Sequence, residues 1–160
     1  MLNKIPKILS PELIKILMEM GHGDTIVIAD GNFPSETCGK RVIRADGHGV
    51  PEILDAILEL FPLDVKYSEA PFGLMEVVQG DTIVPVIWDE YNAIMDKYYR
   101  QRPNIEHIER FKFYERAKNA YAVIATGEKA VYANVLLTKG VVWYDQISGK
   151  WSWWDIIATW

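Results

Sequence analysis

The sequence predicts an α/β protein, a sheet flanked by helices, on three observations. Segments with apolar residues at helical spacing alternate with short apolar runs of strand length along most of the chain. Two of the helical segments are bounded by proline and glycine where helices begin and end. Two strong strand runs near the C-terminal half follow each other with only a short link between them. Some antiparallel pairing is expected near this half of the chain.

Ser10-Pro11-Glu12 reads as a helix start: a hydroxyl N-cap, proline at the first helical position and an acid in the first turn. Leu13, Leu17 and Met20, beside Ile14 and Met18, form its apolar stripe, and Gly21 occupies the C′ place. Asp24 to Asp30 reads as a buried strand ending in an acid, and Gly31-Asn32-Phe33-Pro34 as a loop. Arg41 to Arg44 is a short strand. Gly49 and Pro51 open a second helix with Ile53, Leu54, Ile57, Leu58 and Phe61 on its apolar face, and Pro62 ends it. Phe72 to Val78 is strand-like, Gly80-Asp81 a turn, and Trp88 to Tyr99 a third helix. Ile105 to Ile108 is a strand leading into a helix around Phe111 to Lys118. Tyr121 to Ala125 and Val131 to Leu137 are strands joined through Thr126-Gly127-Glu128.

Five of the six tryptophans fall in the last eighteen residues: Trp143, Trp151, Trp153, Trp154 and Trp160. Val141 to Ile147, Ser148-Gly149-Lys150 and Trp151 to Ile157 read as a β-hairpin. It divides the chain into a domain of residues 1–142 and a Trp-rich extension of residues 143–160. So much exposed aromatic surface would promote association, so the extension is expected to pack on the core or on a neighbouring subunit. A sugar-stacking platform is the alternative reading.

A length of 160 residues with 49% hydrophobic and 24% charged side chains describes one globular domain that buries a core without staples. Cys38, the single cysteine, excludes an internal disulfide framework and points to a reducing compartment. No run of about 18 apolar residues is present, so no membrane span is expected. Met1 to Pro6 lacks the apolar core of a signal peptide, which makes the cytoplasm the expected location. The net charge of −5 comes without a basic run, which argues against nucleic acid. A neutral ligand suits this balance.

His22 is the first candidate for chemistry. It follows a helix C-terminus, which favours the imidazolium, and Gly21 and Gly23 leave its ring unshielded. A histidine that exchanges a proton near neutrality is the usual general acid or base, although a turn histidine with an ordinary hydrogen bond fits the local pattern too. Asp30, at the end of a strand, either orients that histidine, grips hydroxyls or caps the loop at Gly31-Asn32. Asp24 reads as a turn residue. Tyr132, Ala133 and Asn134 open a strand with a phenol and an amide, mixed groups that suit a polyol. Arg110 offers fixed donors. Three histidines without close ligand spacing argue against a built-in metal site, and no Walker or Rossmann glycine loop is present.

The blocks Ser10-Pro11-Glu12-Leu13, Met20-Gly21-His22-Gly23-Asp24 and Asp30 with Asn32-Phe33-Pro34 resemble the L-fucose mutarotase and D-ribose pyranase family. Val42 to Gly47, Arg110-Phe111 with Phe113 to Ala117, Thr126-Gly127-Glu128, and Tyr132 to Asn134 through Lys139-Gly140 extend the resemblance, closer to the fucose branch. It implies a three-layer α/β/α sandwich on a mixed sheet. It also implies exchange of sugar anomers without cofactor or metal, with His22 as proton donor and Asp30 as a sugar-binding acid near it. Arg110 stands where ribose pyranases carry a histidine, and Tyr132, Ala133 and Asn134 match the substrate-contacting stretch. Family members form ring-like homo-oligomers, commonly decamers, with pockets at subunit contacts. A non-catalytic sugar-binding protein, or a metal-dependent isomerase using His22, Asp30 and His48, are the competing expectations. His48 and the loop from Lys66 to Pro71 lie outside the motifs and are assigned no function.

Overall fold

The structure is a computed structural model that describes residues 2–143. Its elements alternate as the sequence predicts: α1 (Pro11–Glu19), β1 (Thr25–Ala29), α2 (Ser35–Cys38), β2 (Val42–Ala45), α3 (Val50–Leu58), β3 (Phe72–Met75), α4 (Ile87–Tyr98), β4 (Ile105–Ile108), α5 (Arg110–Asn119), β5 (Ala122–Thr126) and β6 (Val135–Thr138). The strands form one mixed sheet in the order β2-β5-β1-β6-β3-β4. Strand β6 runs antiparallel to both of its neighbours, β1 and β3, while the other pairs are parallel.

The period of two along β1 builds the layers. Ile26 and Ile28 face a core shared with Leu13 and Leu17 of α1, Ile53 and Ile57 of α3, and Tyr91 and Met95 of α4. Val27 and Ala29 face the opposite side, against Phe113 and Ala117 of α5 and Cys38 of α2. The result is the expected three-layer α/β/α sandwich. Each fully buried Leu, Ile or Val contributes about 1.5–3 kcal/mol of transfer free energy, so the central strands carry much of the stability.

Helix boundaries follow local chemistry. Ser10 Oγ accepts the Leu13 N–H at 3.1 Å, and the Glu109 carboxylate accepts the Phe111 and Lys112 N–H groups at 2.9 and 3.1 Å. Gly21 follows α1 as expected, but the left-handed residue is Gly23, at φ 84°. The last carbonyls of α1 are taken instead by Lys139, whose ammonium donates to Leu17 O at 3.2 Å and to Met20 O.

Three expectations are corrected. The strand read from Val131 begins only at Val135, because Tyr132 sits at φ 58°, which no strand accommodates. The carbonyls of Tyr132 and Ala133 bond to side chains, the Trp88 indole N–H and the Tyr91 hydroxyl, at 2.8 and 2.7 Å. Strand β3 stops at Met75 rather than Val78. The one-turn helix α2 was not foreseen, since four residues carry no period. Val141 to Trp143, the only described part of the expected hairpin, are not in a strand, and the rest of it lies outside the described residues.

Candidate active site

The residues singled out by sequence separate into two groups at opposite ends of β1. At its C-terminal end stands Asp30, 5% exposed. Asn134 Nδ2 donates to Asp30 Oδ2 at 2.8 Å, the Asp30 N–H returns a bond to Asn134 Oδ1 at 2.9 Å, and the Asn32 N–H donates to Asp30 Oδ1 at 2.9 Å. Burial raises the Asp30 pKa above its usual carboxylate value, and these hydrogen bonds work against that shift. The loop Thr126-Gly127-Glu128 supports this end. The Gly31 N–H donates to Glu128 O at 2.9 Å, and the Gly127 N–H to His48 O at 2.8 Å. A Cβ on Gly127 would lie 2.0 Å from Asp46 O, so only glycine allows the two loops to meet there.

Tyr132 is over-determined in its left-handed conformation. Its carbonyl is held by Trp88, and its phenol donates to Asp81 while accepting the Val78 N–H at 3.4 Å. The Asp81 bond pushes the phenol's pKa up, desolvation adds to this, and Arg110 opposes it. Such strain, of order 1–3 kcal/mol, is held where a side chain must point one way. Ala133 is fully buried in the core behind it. Arg110 opens α5, packs its guanidinium 4.7 Å from the Phe111 ring centre, and lines a cavity of about 310 Å³ with Glu76, Val78 and Glu109. Asp30, Arg110, Tyr132 and Asn134 thus border one end of the sheet.

His22 stands at the other end. Its imidazole is 45% exposed, and Nε2 lies 3.1 Å from Oδ2 of Asp64, a carboxylate only 7% exposed. The other oxygen of Asp64 accepts the Tyr67 N–H at 3.1 Å, and the Tyr67 ring lies 5.3 Å from the imidazole, centre to centre. The two loops are stitched together by β6 and the residues after it. The Asp64 N–H donates to Thr138 O at 3.0 Å, and the Gly23 N–H to Lys139 O at 2.8 Å. A carboxylate on Nε2 fixes the imidazole tautomer and the orientation of the ring. Among the described residues Nδ1 has no hydrogen-bond partner.

Of the readings open for Asp30, the cap on the Gly31-Asn32 loop is seen, through the Asn32 N–H, whereas proximity to His22 is not found within one chain. Five strand residues at about 3.3 Å each put about 16 Å between the two ends of β1. Asp64 takes the orienting role instead. Sequence reasoning passed over Asp64 and Tyr67; the available signal was a lone acid in the apolar run Phe61-Pro62-Leu63-Asp64-Val65, just after a helix. His48 bonds through Nδ1 to Glu52 Oε1 at 3.2 Å, away from His22. Among the described residues no three His, Cys, Asp or Glu side chains cluster as metal ligands would. No described helix is long and apolar enough to cross a membrane. A concavity of about 640 Å³ between α2 and α5 is lined by none of His22, Asp30, Arg110, Tyr132, Ala133 and Asn134.

His22 backed by a buried carboxylate, and a separate rim of carboxylate, phenol, amide and guanidinium groups, are the two polar constellations of a chain with close known relatives. The L-fucose mutarotase of Actinobacillus pleuropneumoniae serotype 5b (strain L20) is 48% identical over 141 residues, covering 88% of this chain and 97% of its own. The fucose mutarotase of Homo sapiens is 49% identical over 147 residues, covering 88% and 94%. The crystal structure of the fucose mutarotase from Streptococcus pneumoniae, in complex with L-fucose, superposes with a TM-score of 0.85 at 49% identity, over 89% of this chain and 100% of that one. Residues 3–142 match the sequence profile of one family throughout, and the chain belongs to it: the RbsD / FucU transport protein family.

Proposed function

We propose that this protein is a mutarotase, an isomerase that interconverts the α and β anomers of a free monosaccharide, with L-fucose as the preferred sugar. The observation that carries the reading is the pairing of half-exposed His22 with buried Asp64. Mutarotation opens the hemiacetal, turns the aldehyde carbon and recloses the ring. Opening delivers one proton to the ring oxygen and removes one from the anomeric hydroxyl. Imidazolium His22, held through Nε2 by Asp64, gives the Nδ1 proton to the ring oxygen and takes a proton back on closure. Charge on the imidazole is balanced throughout by a carboxylate that does not move. The proton from the anomeric hydroxyl passes to water, which returns one to the aldehyde oxygen on closure, so every step is a proton transfer with no change of oxidation state.

Asp30, Tyr132, Asn134 and Arg110 hold the sugar hydroxyls, with Ala133 supplying the small buried residue between them. Because that rim stands at the far end of β1, His22 meets it across a contact between two copies of the chain. Val84 and Val86, 79% and 72% exposed on the segment between β3 and α4, supply apolar surface for such a contact. A closed ring of subunits, a decamer by the family resemblance, is the assembly this implies. Residues 1–142 form the mutarotase domain, and residues 143–160 are an appendage beyond the family match. The single cysteine and the free-sugar substrate fit the cytoplasm.

Saturation-transfer NMR on L-fucose tests the reading. Transfer between the α and β anomeric protons should appear only with protein and persist with chelator. His22→Ala should lower it by about 10²-fold or more while the fold is kept. No transfer with L-fucose, D-ribose or D-galactose would replace the mutarotase with a sugar-binding protein. Loss of transfer on chelation would favour a metal-dependent isomerase.

A further inference from the structure

The mutarotase reading leaves one feature beside His22 without a role. Tyr67 is 61% exposed, yet its backbone is fixed, since its N–H donates to Asp64 Oδ1 at 3.1 Å. One side of its ring meets the imidazole at 5.3 Å and an interplanar angle of 58°. Trp143, 39% exposed, lies 6.5 Å away, inclined by 33° to Tyr67. The Lys66 ammonium sits 5.5 Å from the Tyr67 ring centre and 4.4 Å from that of Trp143, a cation over two electron-rich faces. Two aromatic rings and an imidazole therefore run in a row, pinned by a cation and a buried carboxylate, with most of Tyr67 open to solvent.

An aromatic ring kept for packing would be covered. This one is held in place and left open, at the proton donor. A pyranose carries its hydroxyls around the rim and presents C–H groups on a face, and a 6-deoxy sugar adds a methyl to that apolar surface. Acceptors and donors satisfy the rim, whereas the C–H face gains most from an aromatic plane, whose negative face attracts the polarised hydrogens. Resting on the mutarotase reading, we infer that Tyr67, backed by Trp143, is the stacking face of the sugar site, a subsite for the apolar side of a 6-deoxyhexose. A sugar lying on Tyr67 has its ring edge alongside the imidazole, which aligns the ring oxygen with Nδ1 of His22. Trp143 is the first residue past the family match, so the appendage begins by buttressing the site.

The test combines kinetics with a binding readout that does not depend on turnover. The full chain is compared with Tyr67→Leu, Tyr67→Phe, Trp143→Ala and the Tyr67→Leu/Trp143→Ala double variant. In Tyr67→Leu, KM for L-fucose should rise about tenfold while kcat changes less than about twofold, and Tyr67→Phe, which keeps the ring, should recover KM. Trp143→Ala should raise KM about threefold, and the double variant should be no worse than Tyr67→Leu, because Trp143 acts through Tyr67. Saturation-transfer difference spectra, with the protein aromatic protons irradiated, should mark one C–H face of fucose in the wild type and lose that pattern in Tyr67→Leu. An unchanged KM and pattern in Tyr67→Leu, or a fall in kcat at constant KM, would overturn the subsite, since the ring would then only prop His22. A wild-type KM in Trp143→Ala would overturn the role of Trp143. If the wild type marks one sugar face but exchanges no anomers, the subsite stands and the mutarotase reading falls.

Discussion

Asp64→Asn isolates the contribution of the carboxylate behind His22. Asparagine keeps the shape, and its Oδ1 still accepts the Tyr67 N–H, so the loop should stay in place. Its amide then turns two donors toward Nε2, where the carboxylate offered an acceptor at 3.1 Å. The imidazole must present a lone pair there, which moves its neutral-form proton to Nδ1, the nitrogen assigned to the sugar. The imidazolium also loses its countercharge. A hydrogen bond to a charged partner contributes about 1.5–3 kcal/mol, and an imidazole open to solvent on one side belongs at the lower end. About 1.5–2 kcal/mol corresponds to a roughly 10- to 30-fold slower exchange. Saturation transfer between the fucose anomeric protons at fixed protein concentration measures the rate, and thermal unfolding checks the fold. Exchange within twofold of wild type, with an unchanged Tm, would refute the assignment of the His22 tautomer to Asp64.

Lys139→Met keeps the length of the side chain but removes the ammonium that caps α1 at Leu17 O and Met20 O. Urea unfolding should show a loss of about 1–2 kcal/mol, partly recovered by Lys139→Arg; an unchanged midpoint would mean the cap contributes nothing. Gly127→Ala places a methyl 2.0 Å from Asp46 O, against backbone that cannot swing aside, and should cost about 3 kcal/mol, the upper end for overpacking. A wild-type Tm in that variant would contradict the close approach of the two loops. Asp30 carries a pH signature. Burial raises its folded pKa above the ordinary aspartate value of 3.8, so its folded form holds a proton where the unfolded form has lost it. Its contribution to stability is therefore fullest below about 3.8 and falls as pH rises through the folded pKa. The stability difference between wild type and Asp30→Asn should shift in favour of wild type on acidification, and a shift of the opposite sign would place Asp30 in a solvated or ion-paired setting.

What the sequence discloses depends on the distance over which each feature is decided. The Ser10-Pro11 helix start and the apolar run before Asp30 are settled within a few residues, by capping, fixed φ and periodicity, and both are found where expected. Tyr132 could not be placed this way. Its left-handed conformation is held by Trp88 and Asp81, 44 and 51 residues away in sequence, and a β-rich local pattern concealed it. Asp64 reaches His22 across 42 residues for the same reason: β6 and the residues after it draw both loops together, and no local rule encodes that. The separation of His22 from Asp30 within one chain is legible in the sequence. Eight positions apart in sequence reads as proximity, yet a strand occupies the interval, and an extended strand separates its ends by the full rise of its residues. A side chain before such a strand and one after it stand at opposite ends of the sheet in one chain. If both serve one sugar, as proposed, two chains must share each site, and that conclusion follows from the strand assignment before any contact between side chains is considered.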